Sequence, residues 1–180
     1  FLGDEALKNG WKPKFKAEPT GKPLGGKRIL VVGAGPSGLS AAYHLRRLGH
    51  EVEIREAGPV AGGMMHFGIP AYRMPRQELE AETRRIEEMG VKFTFNHRVE
   101  DVLREKTEGG FAAVFIAVGA HISKKVEIPN RDAGKILDAL TFLKDAEHHL
   151  SPSQTLTLSP LKLGRRVAIY GGGNTAMDAA

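Results

Sequence analysis

Residues 28–56, RILVVGAGPSGLSAAYHLRRLGHEVEIRE, decide the fold of this chain. The first segment, RILVVG, is short, apolar and β-branched, as in a parallel strand that is buried on both faces. A helix follows, because apolar residues from Leu39 to Leu48 recur at helical spacing and Gly49 ends the pattern. The segment EVEIRE then alternates apolar and charged residues, as a second strand does. The stretch therefore predicts a βαβ unit, which takes roughly 30 residues.

The turn between this strand and this helix contains the pattern G-x-G-x-x-G, formed by Gly33, Gly35 and Gly38. Gly33 permits the tight turn, Gly35 lets a pyrophosphate approach the backbone, and Gly38 lets the helix pack closely on the sheet. Glu56 follows Gly38 by 18 residues, close to the spacing of ~20 at which a carboxylate binds the ribose of a dinucleotide. The same carboxylate would repel a 2′-phosphate, so NADP is not expected here. The glycine pattern alone does not separate FAD from NAD.

The rest of the chain continues the alternation of strands and helices. Residues 57–75 form a long, glycine-rich segment with few charges, and segments of this kind are often functional. The further predicted elements are a helix at 76–90, a strand at 92–96, a buried strand at 112–119, a helix at 134–149 and a strand at 166–170. The predicted fold class is therefore α/β, with a Rossmann-like parallel sheet and flanking helices.

Composition excludes several kinds of function. The chain of 180 residues has no cysteine, so disulfides, cysteine nucleophiles and cysteine-bound iron–sulfur clusters are excluded from these residues. The formal net charge is +5, but basic and acidic residues alternate, which favours a solvated surface over nucleic-acid binding. No apolar run approaches the ~20 residues of a membrane helix. The histidines follow no metal-ligand spacing, so no metal site is expected.

A longer set of motifs carries a specific resemblance. Residues 31–76 contain the paired glycines Gly62 and Gly63 followed by FGIPAYRMP, and the later motifs are AVFIAVGA, IPNRDA and the terminal GGGNTAMDAA. From about Lys27 onward, the chain closely resembles the FAD-binding domain of the glutamate synthase small (beta) subunit family. That family shares its flavin domain with dihydropyrimidine dehydrogenase. The resemblance implies an FAD domain into which a nicotinamide-binding domain is inserted.

The resemblance also implies roles for individual residues. Five residues would line the FAD pyrophosphate: Gly33, Gly35, Pro36, Ser37 and Gly38. Glu56 would hold the adenosine ribose, and the guanidinium of Arg73 would reach phosphate or ribityl oxygens. Five more would lie along the cofactor: Gly63, Met64, Val99 with its backbone at the adenine, and Ala117 and Gly119 near the domain crossover.

A second glycine motif follows the predicted strand at 166–170. The resemblance makes it the nicotinamide-nucleotide site, with four residues beside the phosphates: Gly171, Gly173, Asn174 and Thr175. It favours NADPH over NADH by analogy. We expect residues 1–26 to be a strap or the tail of a preceding domain, 27–163 an incomplete FAD domain, and 164–180 the start of an NAD(P) domain. The sequence is then a piece of a longer protein, and this piece alone is expected to be inactive.

The implied activity is the passage of electrons from NAD(P)H through FAD to a further acceptor, in a cytoplasmic protein with an electron-accepting subunit or domain. Hydride transfer needs no side-chain acid or base, so no catalytic side chain is expected. Iron–sulfur clusters are expected only outside these residues. Two alternatives stay open: a non-catalytic FAD-binding electron-transfer module, and a thioredoxin-reductase-like disulfide reductase. Flavin monooxygenases and amine oxidases share the first motif, but they do not explain the second.

Overall fold

The computed structural model of the protein describes residues 26–123, 136–150, 163 and 165–180, together with Glu5 and Asn9. The expected N-terminal strap, the IPNRDA stretch at 128–133 and the polar connector at 151–162 lie outside the described residues, apart from Glu5, Asn9 and residue 26. The described strands are β1 (Arg28–Val32), β2 (Glu51–Arg55), β3 (Lys92–Thr94) and β4 (Ala113–Ile116). The described helices are α1 (Pro36–Arg47), α2 (Met64–Phe67), α3 (Arg76–Glu88), α4 (Val102–Glu108), α5 (Ala139–Leu150) and α6 (Asn174–Asp178).

The four strands form one parallel sheet in the order β3–β2–β1–β4. The chain moves outward from β1 to β3 and then crosses back, so that β4 pairs with the other side of β1. This is the strand order with which doubly wound α/β folds begin. The predicted Rossmann-like fold class is confirmed.

The core lies on both faces of β1, which is the central strand beside β2 and β4 and contributes residues to two apolar clusters. On one face, Val31 of β1 packs with Val52 and Ile54 of β2 and with Leu39 and Ala42 of α1. The helical spacing of Leu39 and Ala42 thus places the buried side of α1 on the sheet.

The opposite face carries a smaller apolar cluster. Leu30 and Val32 of β1 pack there with Phe111, and Val99 and Val114 lie against this cluster. Because β1 has buried side chains on both faces, its sequence is a continuous apolar run.

The second face of β2 is charged. Glu53 is buried there and lies near three cations, with its carboxylate oxygens 3.1 Å from Arg55 Nε, 3.4 Å from Lys92 Nζ and 3.6 Å from Arg28 Nη2. Burial alone would raise the pKa of Glu53. The hydrogen bond from Arg55 and the positive charges of Lys92 and Arg55 outweigh burial, so the pKa lies below its usual value. The alternation predicted for β2 therefore separates an apolar face from a charged one.

Three expectations need correction. The strand predicted as buried at 112–119 is the shorter β4, and Ile116 is 59% exposed because β4 lies at the sheet edge of the described chain. The strand predicted at 166–170 is wrong: these residues form no strand, and Tyr170 is 74% exposed. A strand needs a neighbour for its backbone groups, and no described strand lies beside this segment. The segment at 57–75 contains the one-turn helix α2, which the sequence did not predict.

Candidate functional site

The predicted site residues collect at the carboxyl ends of the parallel strands. Gly33 directly follows β1, Glu56 directly follows β2, and Ala117 directly follows β4. The strand order reverses between β1 and β4, and ligands of such sheets bind in the crevice outside the carboxyl ends at this switch point. The fold therefore brings the first glycine motif to the position where a dinucleotide is bound in this class of fold.

Two glycines of the first motif are required by the chain itself. Gly33 has a φ of +103°, and a Cβ atom at this position would lie 2.5 Å from the carbonyl oxygen of Ala117. A Cβ atom at Gly38 would collide with the carbonyl oxygen of Gly33. Gly33 thus lets the loops after β1 and β4 touch, and Gly38 lets α1 begin directly against the turn.

Gly35 is different, because nothing in the described chain requires a glycine there. Its φ of −74° and ψ of −178° suit any residue, and a Cβ atom would come no closer than 3.9 Å to the nearest atom, the Cα of Gly63. Pro36 and Ser37, both exposed, follow in the first turn of α1, where no described side chain caps the helix and no acidic residue is present. Uncapped backbone N–H groups at a helix N-terminus favour an anion. Bare backbone next to such a terminus fits a pyrophosphate.

The carboxylate of Glu56 is fixed beside this turn. Its Oε2 accepts a hydrogen bond of 2.7 Å from the backbone N–H of Ala34, and its Oε1 accepts one of 2.7 Å from the N–H of Gly58. Each oxygen keeps a further acceptor site, since an ionised carboxylate can accept about four hydrogen bonds. The carboxylate of Glu56 can therefore accept hydrogen bonds from ribose hydroxyls while it keeps its two hydrogen bonds to the backbone.

The paired glycines bring the following loop to the same place. The N–H of Gly62 donates to the carbonyl of Ala34 at 2.8 Å, and a Cβ atom at Gly63 would lie 2.9 Å from the Cα of Gly35. Met64 then begins α2. The first glycine turn, Glu56, Gly63 and Met64 thus form one contiguous group, which is the arrangement that their predicted roles require.

Arg73 lies between α2 and α3, and its side chain contacts α6. Its Nη1 donates to Oδ1 of Asp178 in α6 at 2.6 Å, and the two side chains are 44% and 8% exposed. The hydrogen bond from Arg73 to Asp178 and the charge of this carboxylate raise the pKa of Arg73. The predicted reach of Arg73 toward FAD stays a prediction, and in this structure the residue joins the loop to the second glycine motif.

The other three predicted positions lie in the segments that follow β3 and β4. The side chain of Val99 packs against the cluster of Leu30 and Val32, and no described backbone N–H or carbonyl is hydrogen-bonded to the backbone of Val99. The N–H of Ala117 donates to the carbonyl of Val32 at 2.8 Å, which continues the sheet beyond β4. Gly119 has a φ of +72°, a conformation that favours glycine.

The second glycine motif forms a turn into α6. Gly171 has a φ of +146°, and a Cβ atom there would lie 3.2 Å from the Cβ of Ala176, so both positions need small residues. Gly173 precedes α6, and Asn174 and Thr175 are exposed in its first turn. The predicted binding of nicotinamide nucleotide by these residues stays a prediction.

Arg76 was not predicted from the sequence. Its side chain contacts several residues of the preceding segment 64–75, which is called the 64–75 loop below. Its guanidinium donates to three carbonyls of this loop and to the carboxylate of Glu147 in α5. No sequence signal could have found it, because its partners are mostly backbone atoms whose positions depend on the folded loop.

No group of three or more His, Cys, Asp or Glu residues in the described chain could hold a metal ion. No helix of the described residues has the length and apolar character that a membrane span requires.

Comparisons with known proteins agree with this geometry. The chain is 40% identical over 183 residues to the NADP(+)-dependent formate dehydrogenase subunit beta of Moorella thermoacetica, covering 99% of this chain and 25% of that protein. It is 32% identical over 181 residues to the glutamate synthase [NADPH] small chain of Escherichia coli, covering 99% of this chain and 38% of that protein. The chain thus spans less than half the length of these relatives. The resemblance to the glutamate synthase small-subunit family is confirmed.

A solved structure shows the same fold. FprA of Mycobacterium tuberculosis, in complex with NADPH, aligns with a TM-score of 0.60 at 24% identity, over 69% of this chain and 29% of that chain. The sequence also matches the family described as pyridine nucleotide-disulphide oxidoreductase over residues 3–109 and 27–180. The second of these matches contains both glycine motifs and every described strand. The chain therefore belongs to the pyridine nucleotide-disulphide oxidoreductase family.

Proposed function

We propose that the full-length protein is a flavin-dependent oxidoreductase that passes electrons from NAD(P)H through FAD to a further acceptor. The observation that carries this proposal is the contact between Glu56 and the first glycine turn. Glu56 is hydrogen-bonded to Ala34, the residue before Gly35, and Gly35 is a glycine that the fold does not need. A bare turn beside a fixed carboxylate, at the switch point of the sheet, suits a pyrophosphate and its adenosine ribose. The NADP-dependent relatives support the proposal.

The residues of this chain would bind and orient the cofactor. FAD, when bound, supplies the hydride acceptance and the onward electron transfer. The turn at 33–38 would hold the pyrophosphate with backbone N–H groups, and Glu56 would accept from the ribose hydroxyls. Gly63 and Met64 would lie along the cofactor because their loop contacts the same turn. Hydride transfer requires no proton transfer by a side chain, so the proposed contribution of this chain to catalysis is position and electrostatics.

The two ends of the described chain have separate proposed roles. Residues 27–163 would belong to the FAD domain, and 164–180 would begin a nicotinamide-nucleotide domain, with its phosphates near Gly171, Gly173, Asn174 and Thr175. NADPH is the proposed donor, because both relatives carry NADP or NADPH in their names. Those relatives are also named as a subunit and a small chain. A partner subunit is therefore the proposed electron acceptor, and a cytoplasmic location is proposed with it.

Absorption spectroscopy of the purified full-length protein tests this proposal. We expect bands near ~450 nm from bound flavin, and bleaching of these bands when NADPH is added without oxygen. A full-length protein that binds no flavin, even after incubation with FAD, would refute the proposal. Bound flavin that neither NADPH nor NADH reduces would instead identify a non-catalytic flavin module.

Disulfide reduction is the second candidate, and the description of the matched family favours it. Such a reductase passes its electrons to a pair of cysteines, and this sequence contains none. The cysteines would then have to lie elsewhere in the full-length protein. NADPH-dependent reduction of a small aromatic disulfide by the flavin-loaded protein would support this candidate, and its absence beside normal flavin bleaching would exclude it.

A further inference from the structure

We propose that Arg76 is the positioning residue that holds the 64–75 loop in the shape that the cofactor site needs. This inference rests on the proposed function, because that loop is the segment expected to contact FAD. Arg76 is the first residue of α3, yet its side chain turns back onto the loop that precedes the helix. It is 16% exposed, so the guanidinium is largely removed from water.

The guanidinium uses four hydrogen bonds to join separate points of the chain. Nη1 donates to the carbonyls of Met65 and Met74 at 3.1 Å each, and Nη2 donates to the carbonyl of Ile69 at 2.8 Å. Nε donates to Oε1 of Glu147 at 2.7 Å. A planar fork with five N–H donors can serve several acceptors in fixed directions, which a single ammonium cannot do.

In the described part of the chain, the three carbonyls that Arg76 binds have no backbone donor. Among the described residues, no backbone N–H donates to the carbonyl oxygen of Met65, Ile69 or Met74. Ile69 and Met74 each precede a proline, which itself has no N–H and which disfavours helical backbone at the preceding residue. Arg76 supplies side-chain N–H donors to these three carbonyls, which no described backbone N–H serves.

This anchoring reaches the first glycine turn. Met65 lies in α2, and α2 begins directly after Gly63, whose backbone lies against Gly35. The hydrogen bond to Met65 therefore ties the end of the loop to the segment that contacts the phosphate turn. The carboxylate of Glu147, which is 11% exposed, balances the buried charge and fixes the plane of the guanidinium. Arg76 and Glu147 thus act together on the position of the loop.

The test compares Arg76→Lys and Glu147→Gln with wild type, in the full-length protein. Arg104→Gln is the matched control, because Arg104 also contacts a glutamate but lies exposed on α4. Two quantities are measured for each protein: amide hydrogen exchange without flavin, and the dissociation constant for FAD. The exchange experiment reports the order of the loop whether or not FAD binds.

We expect faster exchange in residues 64–69 of Arg76→Lys, with unchanged protection in α1 and α4. We also expect the dissociation constant for FAD to rise at least about tenfold, since two or more hydrogen bonds are lost. Glu147→Gln should show the same changes to a smaller degree, and Arg104→Gln should match wild type. If Arg76→Lys fails to fold, Glu147→Gln, which keeps the guanidinium, supplies the same two measurements.

Two results would overturn the inference. One is an unchanged exchange rate in the loop of Arg76→Lys, and the other is a loosened loop with unchanged affinity for FAD. A wild-type protein that binds no FAD would contradict the proposed function instead. In that case the exchange measurement still decides whether Arg76 orders the loop.

Discussion

At the residue scale, the three glycines of the first motif have different physical reasons. Gly38 is needed because any side chain would collide with the turn, and Gly33 because of its φ and its contact with Ala117. Gly35 has a conformation that suits any residue and free space around it. Only Gly35 is therefore explained by something outside the chain, and the pyrophosphate of FAD is the group proposed for that space.

Replacement of Gly35 and Gly38 by alanine should separate stability from binding. We expect Gly38→Ala to lower the free energy of unfolding by about 2 kcal/mol, because its Cβ atom forces the helix away from the turn. Gly35→Ala should change the free energy of unfolding by less than about 1 kcal/mol and yet weaken FAD binding. Urea unfolding and flavin titration measure the two effects. Equal loss of stability in both variants would show that this distinction is wrong.

Glu53 predicts a dependence of stability on pH. Its pKa lies below the usual value near 4.5 in the folded protein, so its ionised form stabilises the fold above that pH. This stabilisation is lost as the pH falls from about 4.5 through the lower pKa of the folded state. We expect Glu53→Gln to be less stable than wild type at neutral pH, and to lose less stability during acidification. Urea unfolding across this pH range measures both.

Glu51→Gln is the control for this measurement, because Glu51 lies exposed at the start of the same strand. It should keep the pH dependence of wild type. If Glu53→Gln and wild type lose stability in parallel as the pH falls, the assignment of the acid sensitivity to Glu53 is wrong.

At the element scale, the loop between β2 and α3 is held by two arginines that contact different helices. Arg73 contacts Asp178 of α6, and Arg76 contacts Glu147 of α5. Helix α6 follows the second glycine motif, so the contact of Arg73 joins the loop of the first site to the start of the second. We therefore expect a movement of α6 to displace the loop that contains Arg73, and the reverse.

A double-mutant cycle on Arg73 and Asp178 tests this link. Arg73→Gln and Asp178→Asn should each speed amide exchange in α6, because each removes the same hydrogen bond. The double variant should exchange no faster than the more affected single variant. Additive effects of the two substitutions on the exchange rate would mean that the residues act separately.

The elements that the sequence predicted are those whose pattern is local. The glycine turn, the helix with Leu39 and Ala42 inward, and the strands beside it follow from spacing and residue type alone. Helix α4 was missed because it is short, although Asp101 before it accepts from the N–H of Arg104 as an N-terminal cap does. The prediction that β4 is buried was wrong, because burial depends on which other elements pack against a strand, and the sequence of the strand itself does not show this. The anchoring by Arg76 depends on the folded loop in the same way.

At the scale of the whole molecule, the described chain places two glycine turns around one loop. The first turn lies against the start of this loop, at Gly63, and the second is joined to its far part through Arg73 and Asp178. In the proposed enzyme, the same loop would therefore contact FAD and lie beside the nicotinamide-nucleotide domain. The chain covers 25% and 38% of the length of the two relatives compared above.

The most direct test of the central claim compares the binding of FAD and FMN to the full-length protein. FMN lacks the pyrophosphate link and the adenosine, which are the parts assigned to Gly35 and Glu56. We expect wild type to bind FAD at least roughly a hundredfold more tightly than FMN, and Glu56→Gln to lose part of this preference. Equal affinity of wild type for FAD and FMN, or a Glu56→Gln variant with an unchanged preference, would contradict the account.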